Sequence, residues 1–142
     1  MGVVIPETSA LDVAAWLERL QRAWRGRDPD GFAALFADDA GYHAGPFSEP
    51  HRGRDAIRAH WAATLARQAE RPQFWFGPPQ CDGLRASVEW WCVLRAPDTG
   101  APRTAAGCLV LEFAGDGRCR RFHEYFHAAF DAALTPPAGW FA

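Results

Sequence analysis

The sequence has no lysine and no asparagine, although its 142 residues include 15 basic ones, all of them arginine. Without lysine, catalysis through a Schiff base is excluded except at the N-terminal amine. Without asparagine, N-linked glycosylation is excluded as well.

Long apolar runs and runs of one charge are also missing. No segment approaches the ~20 apolar residues of a membrane helix. Residues 1–10 lack the basic flank and apolar stretch of a signal peptide, and Pro6 stands where a myristoylation signal needs Ser or Thr. Net charge is −2 with no basic stripe, so we expect neither a membrane nor a nucleic acid as partner.

Metal and disulfide motifs are absent too. None of the four cysteines forms a CxxC pair, which predicts buried thiols in a reducing compartment and hence a cytoplasmic protein. His43 and His51 near Glu49 have no known ligand spacing. His123 and His127 would lie ~13 Å apart on an extended strand. We therefore expect no metal and no other cofactor.

The first half of the chain has helical patterns. Ser9 is a candidate N-cap for a first helix, with Asp12 in its first turn and Gly26 at its end. Asp28-Pro29 starts a short second helix. A third is predicted from Arg54 to about Glu70, because three apolar residues recur at every fourth position: Ile57, Trp61 and Leu65.

The second half has strand patterns. Strands are predicted over 73–82, 84–95, 103–113 and 118–128, and Asp82-Gly83 is typical of a hairpin turn. The prediction is one α+β domain over 1–142 (core 11–128, tail 129–142). In it three helices pack on a curved antiparallel sheet, with an apolar pocket between them. In the tail, Trp140 and Phe141 are candidates to fold back over an opening.

Both faces of the predicted sheet are largely apolar, most clearly in the strand 103–113. Three helices cover only one face, whereas an antiparallel sheet with a solvated face alternates polar and apolar residues. We therefore expect a homodimer through the outer face. The alternative is that the chain's own tail covers this face.

The order of these motifs resembles the nuclear transport factor 2-like superfamily. The resemblance runs over 11–128 and includes Phe36-Ala37-Asp38-Asp39-Ala40, Pro46-Phe47, Gly53-Arg54-Asp55-Ala56-Ile57 and Glu124-Tyr125-Phe126. Within the superfamily it resembles SnoaL-like cyclases, ketosteroid isomerases and limonene epoxide hydrolases. It implies a cone-shaped fold with a deep apolar cavity, and dimers through the outer sheet face. It does not imply one function.

Glu124 is the strongest catalytic candidate. Alternation on the last strand places it on one face with Phe122 and Phe126, and His123 with Tyr125 on the other. A carboxylate between two aromatic rings is partly desolvated, which raises its pKa toward the range useful for proton transfer. The resemblance also implies a working acid on this strand. The alternative is a structural ion pair with a nearby arginine.

Two further residues are candidate partners of Glu124. The resemblance to epoxide hydrolases places Tyr42 where they carry a water-orienting tyrosine, and its hydroxyl can also polarise a substrate oxygen. His60, on the third helix, is a candidate proton relay. The alternatives are a half-buried strand tyrosine and a surface histidine. The predicted pocket wall consists of Phe32, Phe36, Trp61, Trp90, Phe122 and Phe126.

The sequence also departs from these families. Ketosteroid isomerases have a base just before the Pro-Phe pair, where Ala44-Gly45 stand here, and an acid near Ala106. The epoxide hydrolases' asparagine is absent, and so is their full set of charged residues. We therefore expect a cofactor-independent acid–base enzyme (isomerase, cyclase or hydrolase) acting on a small apolar substrate such as a polyketide, steroid or terpenoid. A non-catalytic ligand-binding homodimer and a protein-interaction module are the alternatives.

Overall fold

The structure is a computed structural model that describes residues 11–68 and 72–141. Its helices are α1 (Val13–Arg25), α2 (Pro29–Ala33) and α3 (Arg54–Ala66). Its strands are β1 (Phe36–His43), β2 (His51–Arg52), β3 (Gln73–Phe76), β4 (Gln80–Asp82), β5 (Arg85–Arg95), β6 (Pro102–Phe113) and β7 (Cys119–Phe130).

The first two helices begin at aspartate caps. Asp12 is the N-cap of α1 rather than a residue of its first turn, and its carboxylate accepts the Ala15 N–H at 3.0 Å. Gly26 ends α1 as predicted. Asp28 caps α2 in the same way, with Pro29 in the first turn, again as predicted. The predicted cap Ser9 lies outside the described residues.

Helix α3 begins at Arg54 as predicted but ends at Ala66, before the predicted Glu70, which itself lies outside the described residues. Side chains at the C-terminal end of α1 make hydrogen bonds to polar groups at the C-terminal end of α3. Arg27 donates to the Leu65 carbonyl at 2.7 Å, and the Trp24 indole donates to the Gln68 side chain at 3.0 Å. A helix end needs such partners because its last carbonyls have none within the helix.

The strands form one sheet in the order β2-β1-β7-β6-β5-β3, with β4 also paired to β5. Most pairs are antiparallel, but β1 runs parallel to β7, with Tyr42 opposite Phe122. The prediction of an antiparallel sheet was therefore wrong for this pair. The sequence could not show this, because side chains alternate in the same way in parallel and antiparallel strands. Two parallel neighbours must also be joined by a long connection, and between β1 and β7 this connection is most of the domain.

The predicted strand 73–82 is broken into β3 and β4. Gly77-Pro78-Pro79 separates them, and proline has no N–H to donate to a neighbouring strand. The chain terminus contacts the sheet at the same place. Phe141 exchanges two backbone hydrogen bonds with Phe76, and Trp140 lies against Gly77. The tail thus folds back onto the β3 edge.

The helices cover the inner face of the sheet and form the core with it. Trp16 of α1 is 1 % exposed, donates its indole N–H to the Leu35 carbonyl at 3.0 Å, and packs edge-on against Phe113. From α3, the predicted stripe of Ile57, Trp61 and Leu65 is buried. Burying a large apolar side chain contributes about 1.5–3 kcal/mol, so this layer positions the sheet firmly.

The chain's own tail covers one end of the outer sheet face. The Thr104 hydroxyl donates to the Ala132 carbonyl and accepts the Leu134 N–H, and Trp91 donates to the Leu134 carbonyl. Toward the middle of this face Val110 and Tyr125 are exposed by 44 % and 46 %. The outer face is thus divided between a part covered by the tail and an apolar part open to solvent.

The predicted α+β class is confirmed: three helices pack on one curved, unclosed sheet. Among the described residues, no helix has both the length and the apolar character that crossing a membrane requires.

Candidate functional site

A cavity of about 570 Å³ lies between α1, α3 and the inner sheet face. Its two ends differ in exposure. Tyr42, Leu109 and Phe122 are almost fully buried and form the closed end. Phe126 and Phe130 are exposed by 40 % and 72 % and lie at the open end. Both the volume and the mostly apolar lining are those of a small-molecule site.

Strand β7 crosses the cavity wall from one end to the other. Alternation places Phe122, Glu124 and Phe126 on the cavity face. His123 lies on the opposite face, stacked on His43 of β1 with ring centroids 4.1 Å apart. The carboxyl group of Glu124 therefore points toward the cavity.

Glu124 and Tyr42 form the polar centre of the closed end. The Tyr42 hydroxyl donates to Oε1 of Glu124 at 2.9 Å, and the Tyr42 ring stacks on Phe122 at 4.4 Å. Burial raises the pKa of Glu124 from 4.5 to about 7, against smaller opposing effects of the Tyr42 hydrogen bond and the Arg103 charge. Near neutral pH this carboxyl can therefore both accept and release a proton.

The phenol of Tyr42 stays protonated over the same pH range. Burial, the Glu124 charge and the hydrogen bond to Glu124 raise its pKa well above 10. The indole nitrogen of Trp61 lies close enough to favour the ionised phenol slightly, although no well-aligned hydrogen bond joins them. Tyr42 is therefore a fixed donor to Glu124.

His60 of α3 lines the cavity beside this pair. Its ring lies 5.1 Å from that of Tyr42 and stacks on His51 of β2 at 4.1 Å. Burial, with smaller contributions from His51 and Arg67, lowers the pKa of His60 to about 4. The imidazole is therefore neutral at pH 7, with one nitrogen able to accept and the other able to donate.

The predicted wall residues divide into two groups. Trp61, Trp90, Phe122 and Phe126 line the cavity. Phe32 and Phe36, which the sequence also placed in the wall, lie one layer behind it: Phe32 packs on Trp61 at 4.0 Å and Phe36 packs on Phe122 at 5.7 Å. Helical spacing predicted both on the buried side of the second helix, but this helix ends at Ala33 and Phe36 begins β1. The spacing indicated that both are buried, but not against which neighbour.

The sequence did not predict the charged residues Arg67, Arg95, Arg103 and Asp131 as part of the cavity lining, and of these Arg103 lies deepest against the aromatic wall. Its guanidinium carbon lies 5.8 Å from the Phe126 ring centroid and 5.5 Å from that of Phe130. Alternation on β6 offered a signal, because Arg103 shares the phase of the buried Ala105 and Leu109. Cys92 on β5 also lines the cavity, and burial raises the pKa of its thiol to about 12, so the thiol is inert.

Three cavity-lining side chains carry a buried nitrogen without a hydrogen-bond partner in the described residues: Trp61 Nε1, Trp90 Nε1 and Arg103 Nε. An unsatisfied buried donor costs about 1–3 kcal/mol. Within the same residues, no group of three or more His, Cys, Asp or Glu side chains is arranged to bind a metal ion.

Solved structures with the same fold include two from mycobacteria and one from Catenulispora acidiphila. A LEH-like epoxide hydrolase of M. tuberculosis is 22 % identical, with 84 % of each chain covered and a TM-score of 0.67. The Δ5-3-ketosteroid isomerase of Mycobacterium sp. is 18 % identical, with 83 % of this chain and 97 % of that one covered and a TM-score of 0.69.

The third is a hypothetical protein from Catenulispora acidiphila with a ketosteroid isomerase-like fold, in complex with trimethylamine. It is 19 % identical, with 78 % of this chain and 83 % of that one covered and a TM-score of 0.69. At these identities the similarity shows the fold alone. No curated protein matches the chain significantly.

The family itself is shown by sequence. The model of the SnoaL-like domain matches residues 17–122, which is well over half of the chain and includes α3, β5, β6 and Tyr42 but ends before Glu124. The protein therefore belongs to the SnoaL-like domain family, within the nuclear transport factor 2-like superfamily.

Proposed function

We propose that the protein is a cofactor-independent acid–base enzyme that moves a proton on a small apolar substrate held in the cavity. The observation that carries the proposal is the Tyr42–Glu124 hydrogen bond of 2.9 Å at the closed end of an apolar cavity. A carboxyl group with a pKa of about 7 is half ionised at neutral pH, so it suits both halves of a proton transfer.

In the proposed cycle, ionised Glu124 takes a proton from a substrate carbon next to a carbonyl and returns it to another atom of the same molecule. The reaction is an isomerisation or ring closure, and no atom is gained or lost. Tyr42 holds the carboxylate in place. Neutral His60 relays a second proton, which it gives to the substrate carbonyl oxygen as negative charge develops there and takes back when the carbonyl re-forms. Trp61, Trp90, Phe122 and Phe126 would contact the apolar body of the substrate.

Deuterium exchange tests this proposal without knowledge of the natural substrate. A panel of cyclic aromatic and terpenoid ketones in D₂O is followed by NMR for exchange at the carbon next to the carbonyl. We expect exchange with at least one ketone, increasing with pH through about 7 as Glu124 ionises. Glu124→Gln should bind that ketone with unchanged affinity and abolish exchange. The matched control is Glu89→Gln, on the outer face of β5, which should exchange normally.

A non-catalytic binder of the same small molecules is the second candidate. The cavity lining favours this candidate, because among the described lining residues only Glu124 and Asp131 carry a carboxylate that could take part in acid–base chemistry. This candidate would replace the first if no ketone or epoxide in the panel reacts, yet several raise the melting temperature of the protein.

We also propose that two copies of the chain associate through the open part of the outer sheet face. Val110 and Tyr125 are large, exposed side chains on neighbouring strands of this face. Light scattering should give a mass of twice 15.7 kDa, and Val110→Asp should return it to one copy. A monomeric wild type would refute the association.

We propose a cytoplasmic location because the cysteines are not paired in disulfides. All four are free thiols, and Cys92 and Cys119 are buried. Unpaired thiols are typical of reducing compartments. Protein taken from its native cells should therefore give four reactive thiols per chain after denaturation.

A further inference from the structure

The open end of the cavity carries positive charge that the described residues do not balance. Arg67, Arg95 and Arg103 all line it, and none lies within 4.0 Å of a carboxylate in the described part of the chain. Asp131 lines the same end without pairing with any of them. Arg95 donates to the Gly100 carbonyl at 3.2 Å, which leaves Arg67 and Arg103 without an acceptor there.

Of the three arginines, Arg103 is the one whose side chain lies inside the cavity. Arg67 and Arg95 are exposed, whereas Arg103 is partly buried and lies over the rings of Phe126 and Phe130. The rings stabilise the cation and keep water from one side of it, but they accept no strong hydrogen bond. The planar guanidinium is thus oriented and still needs an acceptor of matching shape, which a carboxylate provides with two parallel oxygens.

The position of Arg103 relative to Glu124 sets where the two ends of a ligand would lie. Its guanidinium reaches Phe126, which is two residues from Glu124 on the same strand face, about 7 Å along the strand. Trp90 lies level with Phe126, because both residues pair with Gly107, and the two rings are 5.8 Å apart. The buried indole nitrogen of Trp90 has no partner in the described residues.

We propose that the cavity selects a small molecule with an aromatic or alicyclic body and one carboxylate, the carboxylate paired with Arg103 and the body against Trp90, Trp61 and Phe126. The other end of the molecule then lies at Glu124 and Tyr42. This inference rests on the proposed use of the cavity as a ligand site, but it does not depend on catalysis by Glu124.

Calorimetric titration with two probes of nearly equal size tests it: naphthalene-2-acetate and its neutral amide, naphthalene-2-acetamide. At pH 6 and low salt we expect the carboxylate to bind at least tenfold more tightly. Arg103→Gln should reduce this ratio to about one while changing the affinity for the amide less than threefold. The retained amide binding shows that the variant is folded.

Arg67→Gln and Arg95→Gln are the matched controls, since both remove a charge from the same end of the cavity. Each should keep at least half of the preference, because their exposed side chains contribute a screened charge rather than a paired one. The proposal is overturned if the two probes bind equally, if the carboxylate does not bind, or if the preference survives Arg103→Gln.

A second measurement separates this inference from the proposed catalysis. A ligand carboxylate paired with Arg103 offsets the positive charge that lowers the pKa of Glu124, so near pH 7 the carboxylate probe should bind with more proton uptake than the amide. The groups that face Glu124 are Tyr42 on β1, His60 on α3, Cys92 on β5 and Arg103 on β6. Glu124→Gln should abolish the uptake and keep the preference for the carboxylate. That outcome, together with absent ketone exchange, would refute the catalysis and support the anion site.

Discussion

The two ends of the cavity differ in how their polar groups are satisfied. At the closed end, Glu124 and Tyr42 are bonded to each other among buried aromatic rings. At the open end, Arg103 lies on two partly exposed rings and has no acceptor in the described residues. Both ends are built on the same face of one strand, β7, with its neighbours β1 and β6.

This difference assigns different tasks to the two ends. A paired, desolvated group has a perturbed pKa and a fixed position, which proton transfer requires. An oriented charge without a partner gains most from a ligand that supplies one, which recognition requires. The stability of the protein should accordingly depend on the closed end, and ligand preference on the open end.

The largest expected difference is in the free energy of unfolding of two matched variants on β7. Phe122→Ala removes a ring that is 2 % exposed and contacts Tyr42 and Phe36, so it should cost about 3–5 kcal/mol. Phe130→Ala removes a ring that is 72 % exposed and should change stability by less than about 0.5 kcal/mol. Urea denaturation measures both. Equal losses would contradict the division into a structural end and a recognition end.

The second expected effect is a pH-dependent stability gap between wild type and Glu124→Gln. Folding raises the pKa of Glu124 from 4.5 to about 7, so the folded state binds more protons than the unfolded state between these values. Wild-type stability therefore falls as pH rises from 4.5 to 7, relative to a variant that cannot ionise. The gap should be near zero at pH 4 and reach about 3 kcal/mol in favour of the variant at pH 8.

The comparison with a variant is needed because His60 acts in the opposite direction. Its folded pKa of about 4 is below the ordinary 6.5, so its contribution to stability is lost as pH falls from 6.5 to 4. This contribution is shared by wild type and Glu124→Gln and cancels in their difference. A constant gap for Glu124→Gln would mean that its carboxyl is not desolvated.

The closed end was largely predictable from sequence because it rests on local alternation. The pattern around Phe122, Glu124 and Phe126 placed the carboxylate on a buried face, and the resemblance to known families pointed to Tyr42. Neither required knowledge of which strands are neighbours. The raised pKa followed from the same pattern, since burial is its main cause.

The open end and the pairing of strands were not predictable in the same way. Arg103 becomes a cavity residue only because its side chain extends along the sheet to Phe126 and Phe130 on the next strand. The parallel pairing of β1 with β7 depends on contacts across some eighty residues of chain. For the same reason Phe32 and Phe36 were assigned to the cavity wall, although they pack behind it.

The smallest expected effect concerns the tail segment that covers the outer face behind the open end. Thr104→Val removes the hydroxyl that donates to the Ala132 carbonyl at 2.8 Å and accepts the Leu134 N–H at 3.0 Å. Two hydrogen bonds of a buried side chain are lost, so the free energy of unfolding should fall by about 1–2 kcal/mol. Thr99→Val, which removes one exposed hydrogen bond to Ala101, should have less than half that effect.

Because Thr104 adjoins Arg103 on β6 but faces the other side, the binding ratio of the two naphthalene probes should not change. If the binding ratio of the two probes fell while the free energy of unfolding stayed the same, the tail would be positioning Arg103 and would not be stabilising the sheet.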